Sequence, residues 1–166
     1  STNITGIEGI VIRTERKNYK IKPFFTLDLV VIGAGNINLP SWQRDQISYL
    51  IPAFVDKNKN FRITSNVGTG FDFSTRSYFY DYVQKNKTLD EDIKGNFFIK
   101  PELIIEVKFL RYHVNDMDCY SFKNGVYTKV GKKESVTLIN PRFNRIRSDK
   151  KINDFDVRTS QIPELG

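Results

Sequence analysis

With 166 residues, 39% of them hydrophobic and 27% charged, the chain suits one ordinary domain, or one domain plus a piece of another, and is too apolar for disorder. A net charge of +7 points to nucleic acid or an anionic surface as partner, while no apolar run approaches the ~20 residues of a membrane span. One cysteine, Cys119, cannot close an internal disulfide, and a single histidine, His113, leaves too few ligands for structural zinc, so an intracellular protein of the nucleus or cytoplasm is expected.

Ser1 to Gly6 lacks the basic start and apolar middle of a secretory leader. There is no initial Met and a candidate strand begins at Ile7, so the chain is expected to be cut from a longer one. Residues 7–13 read as a strand rich in β-branched side chains. Residues 18–25 form a second, in which Lys20 and Lys22 share one face; a tight connection at 14–17 makes the two a hairpin. Residues 26–35 are a strand ending in a glycine bend, and 36–44, with Pro40, a loop.

Residues 46–55 fit helix or strand by periodicity. Strand is preferred because Asp56 to Asn60 is a turn and 61–67 is extended. After the Gly68-Thr69-Gly70 break, residues 71–84 suit a helix capped by Ser74, with Phe79 and Tyr82 or Val83 on its buried face. Residues 87–95 are charged and exposed. Residues 97–113 contain the strongest strand, Leu103 to Leu110, in which Glu106 is expected to face solvent or a lysine such as Lys108. Asn124-Gly125 marks a hairpin within 118–130. Residues 136–139 form a further strand, and from Asn140 the chain is strongly basic. Short strands with one helix imply a mainly β protein: a five-stranded OB-type barrel with an inserted helix, although a sandwich reads similarly.

Three constellations could carry chemistry. Glu8, in Glu8-Gly9-Ile10-Val11-Ile12-Arg13, is on its own an exposed acid, or a carboxylate holding a metal near phosphate. Lys20 and Lys22 are solvated charges, or two point charges for one phosphate. The third runs from Arg142 to Lys151. There Arg142, Arg145, Arg147, Lys150 and Lys151 surround Asp149, while Phe143 and Ile146 interrupt the charges as apolar anchors. Such anchoring suits phosphate or pyrophosphate recognition better than a floppy basic tail. His113 and Cys119 are read as residues without catalytic duty, the cysteine as a small buried hydrophobe.

Taken in order, these segments resemble the C-terminal half of ATP-dependent DNA ligases. They are Glu8 to Arg13, Tyr19-Lys-Ile-Lys-Pro23, Asp28-Leu-Val-Val-Ile-Gly-Ala34, Val67-Gly-Thr-Gly-Phe71, Pro101-Glu-Leu-Ile-Ile-Glu-Val-Lys-Phe109 and Pro141-Arg-Phe-Asn-Arg-Ile-Arg-Ser-Asp-Lys150. The likeness covers Glu8 to Lys150, and its most distinctive part is the last. It implies that Glu8 matches the motif IV glutamate near the adenylate phosphate and its metal. Lys20 and Lys22 match the motif V lysines on the nucleotide phosphate. Arg145, Arg147, Asp149 and Lys150, preceded by Arg142, match motif VI, which orients the pyrophosphate of ATP during enzyme adenylation. It also implies residues 1–25 as the end of the adenylation domain, residues 26–166 as the OB domain, and a hinge at 24–28.

The chain departs from the family pattern in places. Arg13 replaces a lysine, Tyr19 a tryptophan and Asn140 an aromatic; motifs IV and V are closely spaced, and 36–46 lacks a glycine-rich basic loop. The nucleophilic Lys-x-Asp-Gly motif does not occur. The resemblance therefore implies a parent ligase using ATP and Mg, with this chain alone inactive and holding no cofactor tightly. Nicked duplex DNA and the rest of the ligase chain are the implied partners, for a monomer without a membrane. Two other readings stay open: the OB domain of an RNA ligase or mRNA capping enzyme, and a non-enzymatic single-strand-binding OB module.

Overall fold

A computed structural model describes residues 11–15, 20–35, 46–88, 96–152 and 157–165, with side chains described from residue 24 onward. Among the described residues are eight strands and one α-helix: β1 Val11–Glu15, β2 Lys20–Gly35, β3 Tyr49–Val55, β4 Phe61–Ile63, α1 Phe73–Asn86, β5 Asn96–Phe109, β6 Arg111–Lys123, β7 Val126–Ile139 and β8 Arg142–Ile146. The strand order is β7-β6-β4-β3-β2-β5-β8, antiparallel throughout, with β1 on β2. The mainly β, OB-type expectation holds. Besides the hairpin strand β1 and the strand β8 formed by the C-terminal basic run, six strands, β2 to β7, are described where a five-stranded barrel was expected.

β2 is one continuous strand across the expected hinge. It pairs with β1 as far as Phe24 and with β5 from Phe25 onward. Its sequence reflects this position. Leu27, Leu29 and Val31 enter one core with Leu103, Ile105, Val107 and Phe109 of β5, Val136 and Leu138 of β7, and Phe79 and Val83 of α1. Val30 and Ile32 enter a second core with Ala53, Val55, Phe61, Ile104 and Tyr127. A strand buried on both faces needs an unbroken apolar run, not an alternating one. Asp28 is the exception within that run.

Within the 46–55 segment Tyr49–Val55 is a strand and not a helix, as the following turn suggests. Asp56 closes that turn by accepting from the amides of Asn58 and Asn60, both at 2.9 Å. α1 spans Phe73–Asn86, against the 71–84 expected, and its cap lies two residues before Ser74. Its cap is Asp72, which accepts from the Thr75 amide at 2.7 Å and from the Ser74 hydroxyl, so Ser74 supports the cap and does not form it. Phe79 and Val83 are its buried residues, and Tyr82 is only partly covered.

The Asn124-Gly125 hairpin is present, with φ of 54° and 78°, the left-handed pair that a primed turn requires. It is longer than expected: Val136–Ile139 is the far end of β7, not a separate strand. His113 is the third residue of β6, exposed opposite Thr137, and Cys119 is buried as expected. The turn into β8 uses Asn140 at φ 53°, a backbone region that asparagine tolerates and a bulky aromatic does not.

Candidate functional site

The basic run after Asn140 forms the short strand β8 on the free edge of β5 and the turn that follows it. Ile146 lies opposite Ile105, Arg145 opposite Glu106, Phe143 opposite Val107 and Arg142 opposite Lys108, with a bulge that leaves Asn144 over. The bulge resets the strand's alternation. Phe143 and Ile146, three residues apart, can therefore both pack on the main core while Arg142 and Arg145 stay exposed. Phe143 stacks on Phe71 at 5.3 Å and meets the edge of Phe79 at the same distance. Its amide donates to the Thr69 carbonyl at 2.8 Å. The two apolar anchors inferred from sequence thus fix the cations to the barrel wall.

The charged side chains form a network. Arg145 clasps Glu106 through Nε and Nη2 at 3.2 and 3.3 Å, and Asn144 donates to the same carboxylate. Arg147 Nε and Nη2 donate to the two oxygens of Asp149 at 3.1 and 3.0 Å, and its Nη1 donates to both oxygens of Asp28 at 3.1 and 3.2 Å. Glu106 Oε1 lies 3.6 Å from that same Nη1. Glu106 therefore faces the arginines of β8 and its following turn, not solvent or Lys108. The Lys108 ammonium lies 4.9 Å from the centre of the Phe24 ring.

The carboxylates are perturbed in different senses. Burial pushes the Asp28 carboxyl up; the Arg147 charge opposes this and the neighbouring Glu106 adds to it. Burial also pushes Glu106 up, but the hydrogen bonds from Arg145 and Asn144 and the charges of Arg145 and Arg147 outweigh it and hold Glu106 low. The Arg147 hydrogen bond holds exposed Asp149 down to about 2.

Of the residues singled out from sequence, Arg142, Arg145, Arg147, Asp149 and Lys150 lie together on β8 and its turn. Lys20 and Lys22 sit at alternate positions of β2, opposite Glu15 and Arg13. Glu8 lies outside the described residues. Among the described residues, no group of three or more His, Cys, Asp or Glu could hold a metal ion. Asp28 and Gln161 were missed by sequence reasoning, and Glu106 was given a different neighbour. The signal for Asp28 was an acid interrupting an apolar run; nothing local marks Gln161.

An open groove of about 470 Å³ lies beside this strip, lined by Ser74, Thr75, Tyr78, Phe143 and Ile146. Gly70, at φ 93°, lets the loop before α1 lie against the Phe143 backbone; a Cβ there would come within 2.9 Å of the Phe143 nitrogen. The Gly68-Thr69-Gly70 break therefore seats the basic strand.

The sequence matches the family described as the ATP dependent DNA ligase C terminal region over residues 43–150. Among solved structures, the fold is similar to the ligase domain of LigD from M. tuberculosis, with a TM-score of 0.54 and 17% identity over 79% of this chain and 38% of that one. It is also similar to a mycobacterial DNA ligase D complexed with ATP and MES, with a TM-score of 0.51 and 16% identity over 79% and 37% of the two chains. At such identities the likeness speaks for the fold. The chain spans less than two fifths of the length of either structure. No curated protein matches the sequence.

Proposed function

The chain belongs to the ATP-dependent DNA ligase C-terminal region family, and on that premise we propose that it is the OB domain of a nick-sealing ligase. Its basic strip serves the nucleotide step and its barrel holds duplex DNA. The observation that carries the first part is the anchoring of β8: Phe143 and Ile146 are tied into the core while Arg142 and Arg145 stand outward beside the turn bearing Lys150. A strip of fixed cations lowers the cost of gathering charge around a polyphosphate, because its geometry is set before the ligand arrives.

In this reading Arg145, Arg147, Asp149 and Lys150 act in enzyme adenylation. Arg142, Lys20 and Lys22 face nucleotide phosphate, and Glu8 lies near the metal. ATP supplies the adenylyl group, and Mg would act with residues of the rest of the ligase. Residues 1–25 belong to the adenylation domain and 26–166 to the OB domain; the change of partner strand at Phe24 and Phe25 supports a boundary there. Without the nucleophilic lysine motif, the chain alone forms no lysyl-adenylate. The seven excess positive charges favour the phosphate backbone of DNA.

A single-strand-binding module needs exposed aromatic platforms for base stacking. On the strands, Phe98, Tyr120, Phe122 and Tyr127 pack on one another instead, and the exposed Phe73 and Tyr78 lie on α1 and not on the barrel strands, which weighs against that reading. Titration with nicked duplex and with single-stranded DNA at two salt concentrations tests the binding role. Preference for nicked duplex with a steep salt dependence is expected; no binding at low salt, or preference for the single strand, overturns it. ATP against GTP, and nicked DNA against RNA, given to the intact enzyme, separate a DNA ligase from RNA ligases and capping enzymes.

A further inference from the structure

We propose that Asp28 and Glu106, two strand carboxylates outside the basic run, are positioning residues for enzyme adenylation: they act through Arg147 and Arg145 to fix the turn that carries Lys150. The inference rests on the reading of Arg142 to Lys150 given above.

The first ground is that Arg147 is fully engaged. Asp149 takes its Nε and Nη2 edge, and Asp28 takes Nη1 with both oxygens. The side chain is only 14% exposed. A guanidinium has five N–H groups in a fixed fork. Arg147 has no bidentate edge left for a pyrophosphate unless these pairs break. Its place is that of a strut, joining the barrel wall at Asp28 to the turn at Asp149. Arg145 differs: it holds Glu106 by one edge and is 59% exposed.

The second ground is the way Asp28 is held. On one edge β2 pairs with β5, where Asp28 lies opposite Glu106. On the other edge the β1 pairing stops at Phe24 and the β3 pairing starts at Val30, so Asp28 falls in the gap. The Gln161 side chain fills it in the manner of a peptide group: the Asp28 amide donates to Gln161 Oε1 at 3.0 Å, and Gln161 Nε2 donates to the Asp28 carbonyl at 2.9 Å. A carboxylate that burial disfavours is thus fixed in place from both strand edges.

The third ground is continuity from this pair to the turn. The Arg147 amide donates to the Ile104 carbonyl at 2.8 Å, and the Lys150 amide donates to the Arg147 carbonyl at 3.2 Å. Glu106, two residues beyond Ile104, meets Arg145 and Asn144. Two strand carboxylates therefore set the direction of the backbone that presents Lys150. Half-buried ion pairs of this kind act chiefly by fixing geometry, since desolvation offsets most of their attraction.

The test is single-turnover adenylation by the intact ligase, read beside sealing of a pre-adenylated nick, for Asp28→Asn, Glu106→Gln and Lys150→Ala, with melting temperatures. Asp28→Asn and Glu106→Gln are each expected to slow adenylation at least tenfold, mostly in kcat and not in the KM for ATP, while sealing stays within twofold. Asp28→Glu, which keeps the charge on a longer arm, should recover part of the rate. If both amide variants adenylate normally while Lys150→Ala does not, the positioning role is wrong and the reading of the basic strip survives. If Lys150→Ala adenylates normally, that reading fails and takes this inference with it. Equal loss in both steps marks general damage to the fold and also overturns the positioning role. Should Asp28→Asn not fold, Glu106→Gln decides: it keeps the shape and one acceptor oxygen, but loses the charge and the second acceptor that Arg145 uses.

Discussion

Asp28 and Arg147 lie 119 positions apart, and the Arg147 Nη1 donates to both oxygens of the Asp28 carboxylate. Three carboxylates meet at the two arginines, and they respond to acid with opposite signs. Asp149 is held down to about 2 and Glu106 also lies below its ordinary value. Their contribution to stability is present above the unfolded carboxylate value of about 4 and is lost as pH falls through the folded values. Asp28 is raised, so its contribution runs the other way: present at low pH and lost as pH rises through its folded value. The melting temperatures of wild type and Asp149→Asn should therefore differ at pH 5 and converge as pH falls from about 4 towards 2. A gap that stays constant over that range would show that the Arg147–Asp149 pair does not form in solution.

Gly70 predicts a coupling between the loop before α1 and the basic strand. Its φ of 93° is strained for any residue with a Cβ, and the added atom would meet the Phe143 backbone. Gly70→Ala is expected to cost about 2–4 kcal/mol, combining backbone strain with displacement of a packed strand. Urea denaturation measures this. The variant should also adenylate poorly in the intact ligase, because Phe143 anchors the cations. Unchanged stability would mean that the loop stands off from β8.

Much of this arrangement was legible in the sequence because it is local. The β5 run, the Asn124-Gly125 turn and the helix after Gly70 each carry their own signal, and the order of motifs pointed to the family. Phe143 and Ile146 were recognisable as anchors by interrupting a charged run. What was not legible depends on pairing between distant segments. The bulge at Asn144 exists only because β8 lies on β5. Glu106 looked solvated because nothing in its own strand reveals Arg145. Gln161 bonds to the backbone of a residue 133 positions earlier, and its neighbours give no hint of it. Ser74 and Asp72 are both good caps by composition, and only the actual start of the helix separates them.

Arg76 predicts how firmly α1 is tied to the barrel. Its Nη1 donates to the carbonyls of Ile47 and Ser48 at 2.9 and 3.0 Å, and its Nη2 to that of Gly68 at 2.9 Å. Its guanidinium also lies 5.1 Å from the centre of the Phe71 ring. Arg76→Ala removes three charge-assisted bonds to carbonyls around the β3 entry and should cost about 2–3 kcal/mol. Arg76→Lys should recover only part of this, since an ammonium lacks the fork that spans two chain segments. Equal stability of the lysine variant and wild type in urea would contradict the bridging geometry.

The second core makes its own prediction through Tyr127. Its ring contacts Phe98 at 4.9 Å and Phe122 at 4.6 Å, and its hydroxyl donates to the Ile99 carbonyl at 2.7 Å in a buried setting. Tyr127→Phe keeps the packing and deletes the bond, leaving a buried carbonyl without that donor. The expected cost is about 1–2 kcal/mol. Tyr127→Leu also loses the ring contacts and should cost more, about 2–4 kcal/mol. This cluster lies on the far side of β2 from the core that carries Phe143. Both variants should therefore lower the urea midpoint with an unchanged slope, and leave adenylation by the intact ligase at the wild-type rate under conditions where the protein is folded. A loss of adenylation larger than the loss of folded protein would place Tyr127 in communication with the basic strip, against the division of the barrel into two cores.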